Sequence, residues 1–159
     1  MEKGFTHFDE DGNAVMVDVT GKQVTVRTAI AQGFIRVSSE IMDAVKNHQV
    51  KKGDVLGVAR VAGIMGVKQT AALIPMCHTL QIQKCSVDFE LDEENSRIKA
   101  VCLVKTEGKT GVEMEALTGV TTALLTIYDM CKAIDKRMEL QEIHLMEKTG
   151  GKSGDFRYD

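Results

Sequence analysis

The stretch LQIQKCSVDFELDEENSRIKAVCLVKTE, Leu80 to Glu107, decides how this chain folds. On either side of the polar run Asp92–Ser96, apolar and polar residues alternate one for one. A period of two puts the apolar set on one face of an extended backbone, so the pattern predicts a β-hairpin with one face turned to a core. Immediately after it, Leu117, Val120, Leu124, Ile127, Cys131 and Ile134 step by threes and fours, which predicts a long helix with one apolar face. ELQEIHLME (139–147) reads as a last strand before the glycine-rich KTGGKSGDF.

Upstream of the hairpin, VTVRTAIAQGFIRV (24–37) is rich in β-branched residues and predicts a strand. Ser38 or Ser39 can cap a short helix with Glu40 in its first turn and Ile41, Ala44 and Val45 inward. Asp54 is a plausible cap for a second helix over 55–73, in which Val58, Val61, Ala62 and Met65 follow helical spacing. Gly57, Gly63 and Gly66 each weaken that helix, so another backbone or a ligand should come close there. Pro75, the only proline, stops it at IPMCHT. The order β-α-α-β-β-α-β predicts an α+β domain of ferredoxin-like type, with helices packed on one face of an antiparallel sheet and one additional helix. The open sheet edges favour a partner subunit.

At 159 residues the chain suits one domain, expected over 15–159, behind a flexible tail over 1–14 that ends near Asp11-Gly12-Asn13. Aromatic residues make up 4% and Trp is absent, so the core must rest on Val, Ile, Leu, Met and Ala. The net charge of -3 speaks against nucleic acid as the main partner, and the few aromatics speak against base stacking. The N-terminus has no signal-peptide core, and no apolar run approaches membrane-spanning length. Cys77, Cys85, Cys102 and Cys131 form no C-x-x-C pair, which speaks against a zinc site and for reduced thiols in the cytoplasm.

Four constellations are candidates for chemistry. Opposite the apolar stripe of the long helix, Thr118, Thr121, Thr122, Asp129, Lys132 and Lys136 gather on one face, and Asp129 and Lys132 are neighbours across one turn. This is either a solvated ion pair or part of a cleft. In Pro75-Met76-Cys77-His78-Thr79, His78 suits acid–base work near neutral pH or merely bonds a loop carbonyl, while Cys77 has no activating partner beyond His78. Gly151-Lys152-Ser153 looks like the end of a P-loop, but Met146 stands where the motif requires glycine, so that reading fails. The segment is then either a flexible tail or a glycine-rich strand that meets phosphate through N–H groups, Lys148 and Lys152. Lys52, Lys68, Lys109, Lys132, Lys148 and Lys152, with Arg27 and Arg60, nearly all lie at turns or beside glycines. Brought together, they would hold a polyanionic small molecule and lower the pKa of one lysine.

The blocks MVDVT (16–20), KGDV (52–55), ARVAGI (59–64), PMCHT (75–79), GKTGVEMEALTG (108–119), TIYDMCKA (126–133) and GGKSGDF (150–156), in this order, resemble the cyclic pyranopterin monophosphate synthase family of molybdenum cofactor biosynthesis. The resemblance implies a lyase that turns cyclised dihydro-GTP into cyclic pyranopterin monophosphate and releases pyrophosphate, with no metal and no organic cofactor. By motif position it implies that Lys132 carries protons with Asp129 as its partner, and that Lys52, His78 and Glu113 are further catalytic residues. It places Met76, Cys77, His78, Met114 and Glu115 against substrate, and Arg27, Lys68, Lys148 and Lys152 against its phosphates. It further implies a homo-hexamer, a trimer of dimers, with the site at a subunit interface. On this reading GKTGVEMEALTG forms the mouth of a triphosphate site whose floor is the Asp129–Lys132 face. Met76 and Thr79 stand where members commonly have Leu and Pro, and the lost proline loosens the His78 loop. The competing readings are a ferredoxin-like module that senses a nucleotide without chemistry and, more remotely, an RNA-binding module.

Overall fold

The hairpin forms as its alternation predicts: β2 (Lys84–Asp92) pairs antiparallel with β3 (Arg97–Gly108), from Lys84 opposite Lys105 to Asp92 opposite Arg97. Leu80 to Gln83 precede the first strand and are tied to β3 by the Gln83 amide, which donates to the Lys105 carbonyl, and by the Gln81 carbonyl, which accepts from the Thr106 hydroxyl. The turn is pinned by Asp92, whose carboxylate accepts from the Asn95 amide and from Arg97 Nε at 2.9 Å. The Arg97 guanidinium in turn lies 3.9 Å from the centre of the Phe34 ring, a cation–π contact.

The structure is a computed structural model that describes residues 6–159. Strand β1 (Thr25–Arg36) lies beside β3, β4 (Glu139–Thr149) lies beside β1, and the two-residue β5 (Phe156–Arg157) closes the sheet in the order β2-β3-β1-β4-β5. All pairs are antiparallel. The first four strands have the order of a ferredoxin-like domain, as expected, and β5 is an addition at the edge. Of the tail expected over 1–14, residues 1–5 lie outside the described residues. Over 6–14, Phe8 and Ala14 form a bridge around a turn in which the Asp9 carboxylate accepts from the Asp11 and Asn13 amides.

Helix α1 (Ser39–Lys46) is capped by the Ser38 hydroxyl, which accepts from the Ile41 amide. Helix α2 (Val55–Lys68) is capped by Asp54, whose carboxylate accepts from the Gly57 amide. It stops at Lys68, and Thr70–Leu73 form a separate turn, α3, so the single helix expected over 55–73 is broken. The Thr70 hydroxyl ties the two pieces by donating to the Gly66 and Val67 carbonyls.

Helix α4 (Glu113–Cys131) crosses the sheet with Val120, Leu124 and Ile127 fully buried against Ala31 and Ile35 of β1 and Ile98, Ala100 and Cys102 of β3. It approaches β1 closely where Gly33 has no side chain to oppose Leu124. Between α2 and α4 the contact is closer still. A methyl group on Gly63 would sit 3.0 Å from the Gly119 carbonyl, and one on Gly66 would strike the Thr122 side chain. The backbone approach expected at these two glycines is therefore made by α4. It also decides which side of α2 is inside: Val55, Ala59, Gly63, Gly66 and Val67 are buried, while Val58, Val61 and Met65 are 44–61% exposed. The larger apolar stripe faces out because the small residues permit the closer approach.

Candidate active site

Helix α4 carries a separate cluster of functional groups at each end. Its N-terminal turn follows the Gly108–Gly111 turn and holds Glu113 and Glu115, where the helix dipole favours negative charge. Glu113 lies 3.5 Å from the Lys148 ammonium of β4, which also donates to the Ser153 hydroxyl at 2.6 Å. Its carboxylate folds back over Gly111, where a Cβ would collide with it. Glu115 is buried, 4% exposed. Burial, reinforced by the Glu113 charge, raises its pKa above the ordinary carboxylate range.

These carboxylates open on a cavity of about 340 Å³ that is also lined by Met76, Cys77, His78, Thr110 and Met114. His78 Nε2 is 2.7 Å from the Val17 carbonyl. A carbonyl only accepts, so the imidazole donates through Nε2–H, and its neutral form keeps the lone pair on Nδ1. Burial, and next the Glu115 charge, push the Cys77 thiol up, which keeps it protonated and disfavours a nucleophilic role.

Beside this cavity runs a groove of about 900 Å³ whose basic groups are Lys22, Arg27 and Lys152. Arg27 is held by its own Nε, which donates to the Gly108 carbonyl at 3.1 Å. Its guanidinium occupies the space left by Gly151, whose φ of +89° and lack of a side chain both require glycine. The C-terminal glycines form a hydrogen-bonded turn, in which the Gly150 amide donates to Asp155, and it leads into β5, which pairs with β4.

At the far end of α4, the Lys132 ammonium lies 2.9 Å from Asp129 Oδ1, and Lys52 Nζ lies 3.6 Å from Oδ2 and 2.9 Å from the Asp129 carbonyl. The hydrogen bond from Lys132, then its charge and that of Lys52, hold the Asp129 carboxyl below its ordinary range. Asp129 in turn raises the pKa of Lys132, through its hydrogen bond and then its charge. All three side chains are about half exposed, so the cluster contributes little to stability.

The expected residues thus form two groups. Met76, Cys77, His78, Glu113, Met114, Glu115 and Lys148 meet at one end of α4, with Arg27 and Lys152 in the adjoining groove. Lys52, Asp129 and Lys132 meet at the other. Glu113 and Asp129 are separated by sixteen residues of helix, about 24 Å at 1.5 Å per residue. The expected mouth and floor therefore do not face each other within one chain. Lys68 lines neither cavity; it ends α2 close enough to Cys85 for its charge to be felt there. Lys22, which lines both cavities, and Thr110 escaped the reading of the sequence. The signal for Lys22 was its place after a turn glycine, as in Gly108-Lys109 and Gly151-Lys152. Among the described residues no three His, Cys, Asp or Glu side chains gather as a metal ligand set, and no helix is long and apolar enough to cross a membrane.

Comparison with known proteins agrees with the motifs that line these clusters. Cyclic pyranopterin monophosphate synthase of Clostridium perfringens is 58% identical over 158 residues, 99% of this chain and 100% of that protein. The proteins of the same name from Clostridium botulinum and Clostridium acetobutylicum are 60% and 54% identical over 156 residues, 98% of this chain and 98% and 97% of theirs. The sequence pattern of the MoaC family matches residues 16–151, a span that includes both ends of α4, the His78 loop and the Lys52 turn. With that match and relatives this close along their whole length, the chain belongs to the MoaC family.

Proposed function

We propose that this protein is a cyclic pyranopterin monophosphate synthase of molybdenum cofactor biosynthesis. It is a lyase that rebuilds cyclised dihydro-GTP into cyclic pyranopterin monophosphate and releases pyrophosphate. The observation that carries this reading is the charge arrangement around α4: a paired lysine–aspartate–lysine group at one end, and carboxylates and a histidine beside a basic groove at the other. The names of the close relatives support it.

In this reading Arg27, Lys148 and Lys152, joined by Lys22, hold the triphosphate and neutralise the leaving pyrophosphate. Lys68, which lines neither cavity of its own chain, would reach these phosphates from a second copy. Met76, Cys77, Met114 and Glu115 seat the purine-derived part. Ring opening and reclosure need protons delivered and removed at several atoms. Lys132 is held protonated by Asp129 and starts as an acid; Lys52 restrains Asp129 from the other side. His78, with its lone pair on Nδ1, serves as a base, and Glu113 orients Lys148. This chemistry uses no metal and no organic cofactor.

One chain does not bring the two ends of α4 together, so the site takes one end from each of two copies. The assembly we infer is a homo-hexamer built as a trimer of dimers, each copy contributing one catalytic domain over 15–159. Four unpaired cysteines accord with a cytoplasmic location.

The test follows pyrophosphate release and pterin formation from cyclised dihydro-GTP, with a chelator present, for the wild type and Lys132→Ala. Turnover by the wild type, and a loss of at least about a hundredfold in a folded variant, is expected. A folded wild type that binds the intermediate without converting it would return the chain to the nucleotide-sensing reading.

A further inference from the structure

One wall of the cavity beside Glu113 belongs to neither sheet nor helix. Residues 15–22 pass across it without pairing to any strand, and contribute Val17, Val19 and Lys22 to the lining. Their hydrogen bonds are mostly local: the Lys22 amide donates to the Val19 carbonyl, and the Thr20 amide to the Asp18 carboxylate. Val15 and Met16 are 42% and 50% exposed, so little apolar burial holds the segment down. Among the described residues, two side-chain hydrogen bonds tie it to the body of the domain. His78 donates to the Val17 carbonyl, and Lys109 donates to the Thr20 carbonyl at 3.0 Å. Lys22, at the end of the segment, faces both the cavity and the basic groove.

We propose that Lys109 is a positioning residue: with His78 it latches residues 15–22 across the cavity, and an anion in the groove draws in Lys22 and tightens this strap. Each part follows from the placement of charge. The segment is fixed near its middle by Val17 and Thr20 and ends in a cation two residues beyond the second latch. A phosphate between Lys22, Arg27 and Lys152 supplies a third anchor, and pulls the chain against the other two. The closed strap excludes water from the His78 side of the cavity and keeps Nε2 occupied, so that His78 can act only through Nδ1. When the anion leaves, the third anchor is lost and the wall loosens for product to depart. Because both acceptors are backbone carbonyls, any residues at 17 and 20 could be latched; the specificity lies in the donors. The proposal rests on the reading of the groove as a phosphate site.

Hydrogen–deuterium exchange of the full-length protein, free and with inorganic pyrophosphate, tests it, with binding measured in parallel by calorimetry. Pyrophosphate is expected to slow exchange across 15–22 several-fold and to leave α1 unchanged. In Lys109→Met the free segment should exchange faster, pyrophosphate should bind about two- to tenfold more weakly, as for one lost hydrogen bond, and KM should change more than kcat. The melting temperature should stay at the wild-type value, which a merely structural role would not allow. If pyrophosphate binds but exchange over 15–22 does not change, the strap is refuted and the phosphate groove stands. Absence of any binding would refute both. Wild-type exchange and affinity in Lys109→Met would refute the role of Lys109.

Discussion

Gly119→Ala tests a close contact in the buried core, where α2, α4 and β3 meet. A Cβ at position 119 would lie 2.7 Å from Cys102 Sγ and 2.7 Å from Val67 Cγ2, both in the buried core. Comfortable carbon contacts lie near 3.5–4.0 Å, so the surroundings must open by about 0.8 Å on two sides at once. Overpacking of this kind costs about 1–3 kcal/mol. The alanine returns about 1 kcal/mol of helix propensity. The expected net loss is about 0–2 kcal/mol, which for a chain of this length lowers Tm by up to about 8 °C. Urea unfolding at fixed protein concentration should show a lower midpoint with an unchanged m-value. Gly21→Ala is the control: nothing lies within 4 Å of its Cβ, and stability should stay within about 0.5 kcal/mol of wild type. Because α4 carries both functional clusters, the shift should also reduce turnover in the folded Gly119→Ala protein. A midpoint that rises, as propensity alone demands, would refute the close packing of α2 on α4.

Two further outcomes follow from the titrating groups. Glu115 has a folded pKa above its unfolded one, so between the two the folded chain holds a proton that the unfolded chain has released. Stability should therefore fall as pH rises through that window, and Glu115→Gln should remove the fall, as read from urea midpoints across a pH series. Asp129→Asn takes away the negative charge of the carboxylate that raises the Lys132 pKa, so the Lys132 ammonium should titrate at lower pH by NMR and turnover should drop; an unmoved Lys132 would show that the pair does not form in solution.

The elements that could be read in the sequence were those whose evidence is local. The alternation on both sides of Asp92–Ser96, the caps at Ser38 and Asp54, and the stripe from Leu117 to Ile127 each follow from one stretch of backbone, and each element formed. The facing of α2 was not local. Val58, Val61 and Met65 make the larger apolar stripe, yet the inward side is the one that lets Gly63 and Gly66 meet α4, and that depends on Gly119 and Thr122 fifty-six residues further on. The break at Lys68 was hidden because 69–73 contain nothing that forbids a helix before Pro75. Within the site, the Asp129–Lys132 pair was legible from its spacing of three, whereas the burial of Glu115 was not, because the reading placed it at the mouth of the site. What spacing could not give was distance along α4: GKTGVEMEALTG and YDMCK lie on one helix, and the straightness of that helix keeps them apart. Lys109 went unassigned for a related reason, since its partner is a backbone carbonyl on a distant segment, and Lys22 because the two cavities that it lines are built from segments far apart in the chain.

The most direct test is complementation between two inactive chains. Lys132→Ala removes the acid at one end of α4, and Glu113→Ala disables the other. If one end from each of two copies makes a site, unfolding and refolding the variants together in equal amounts should produce mixed dimers in which one site is wholly wild type. About a quarter of all sites would then be intact, and about a quarter of wild-type pyrophosphate release should return. A mixture that forms mixed oligomers yet stays as inactive as its components would contradict a shared site.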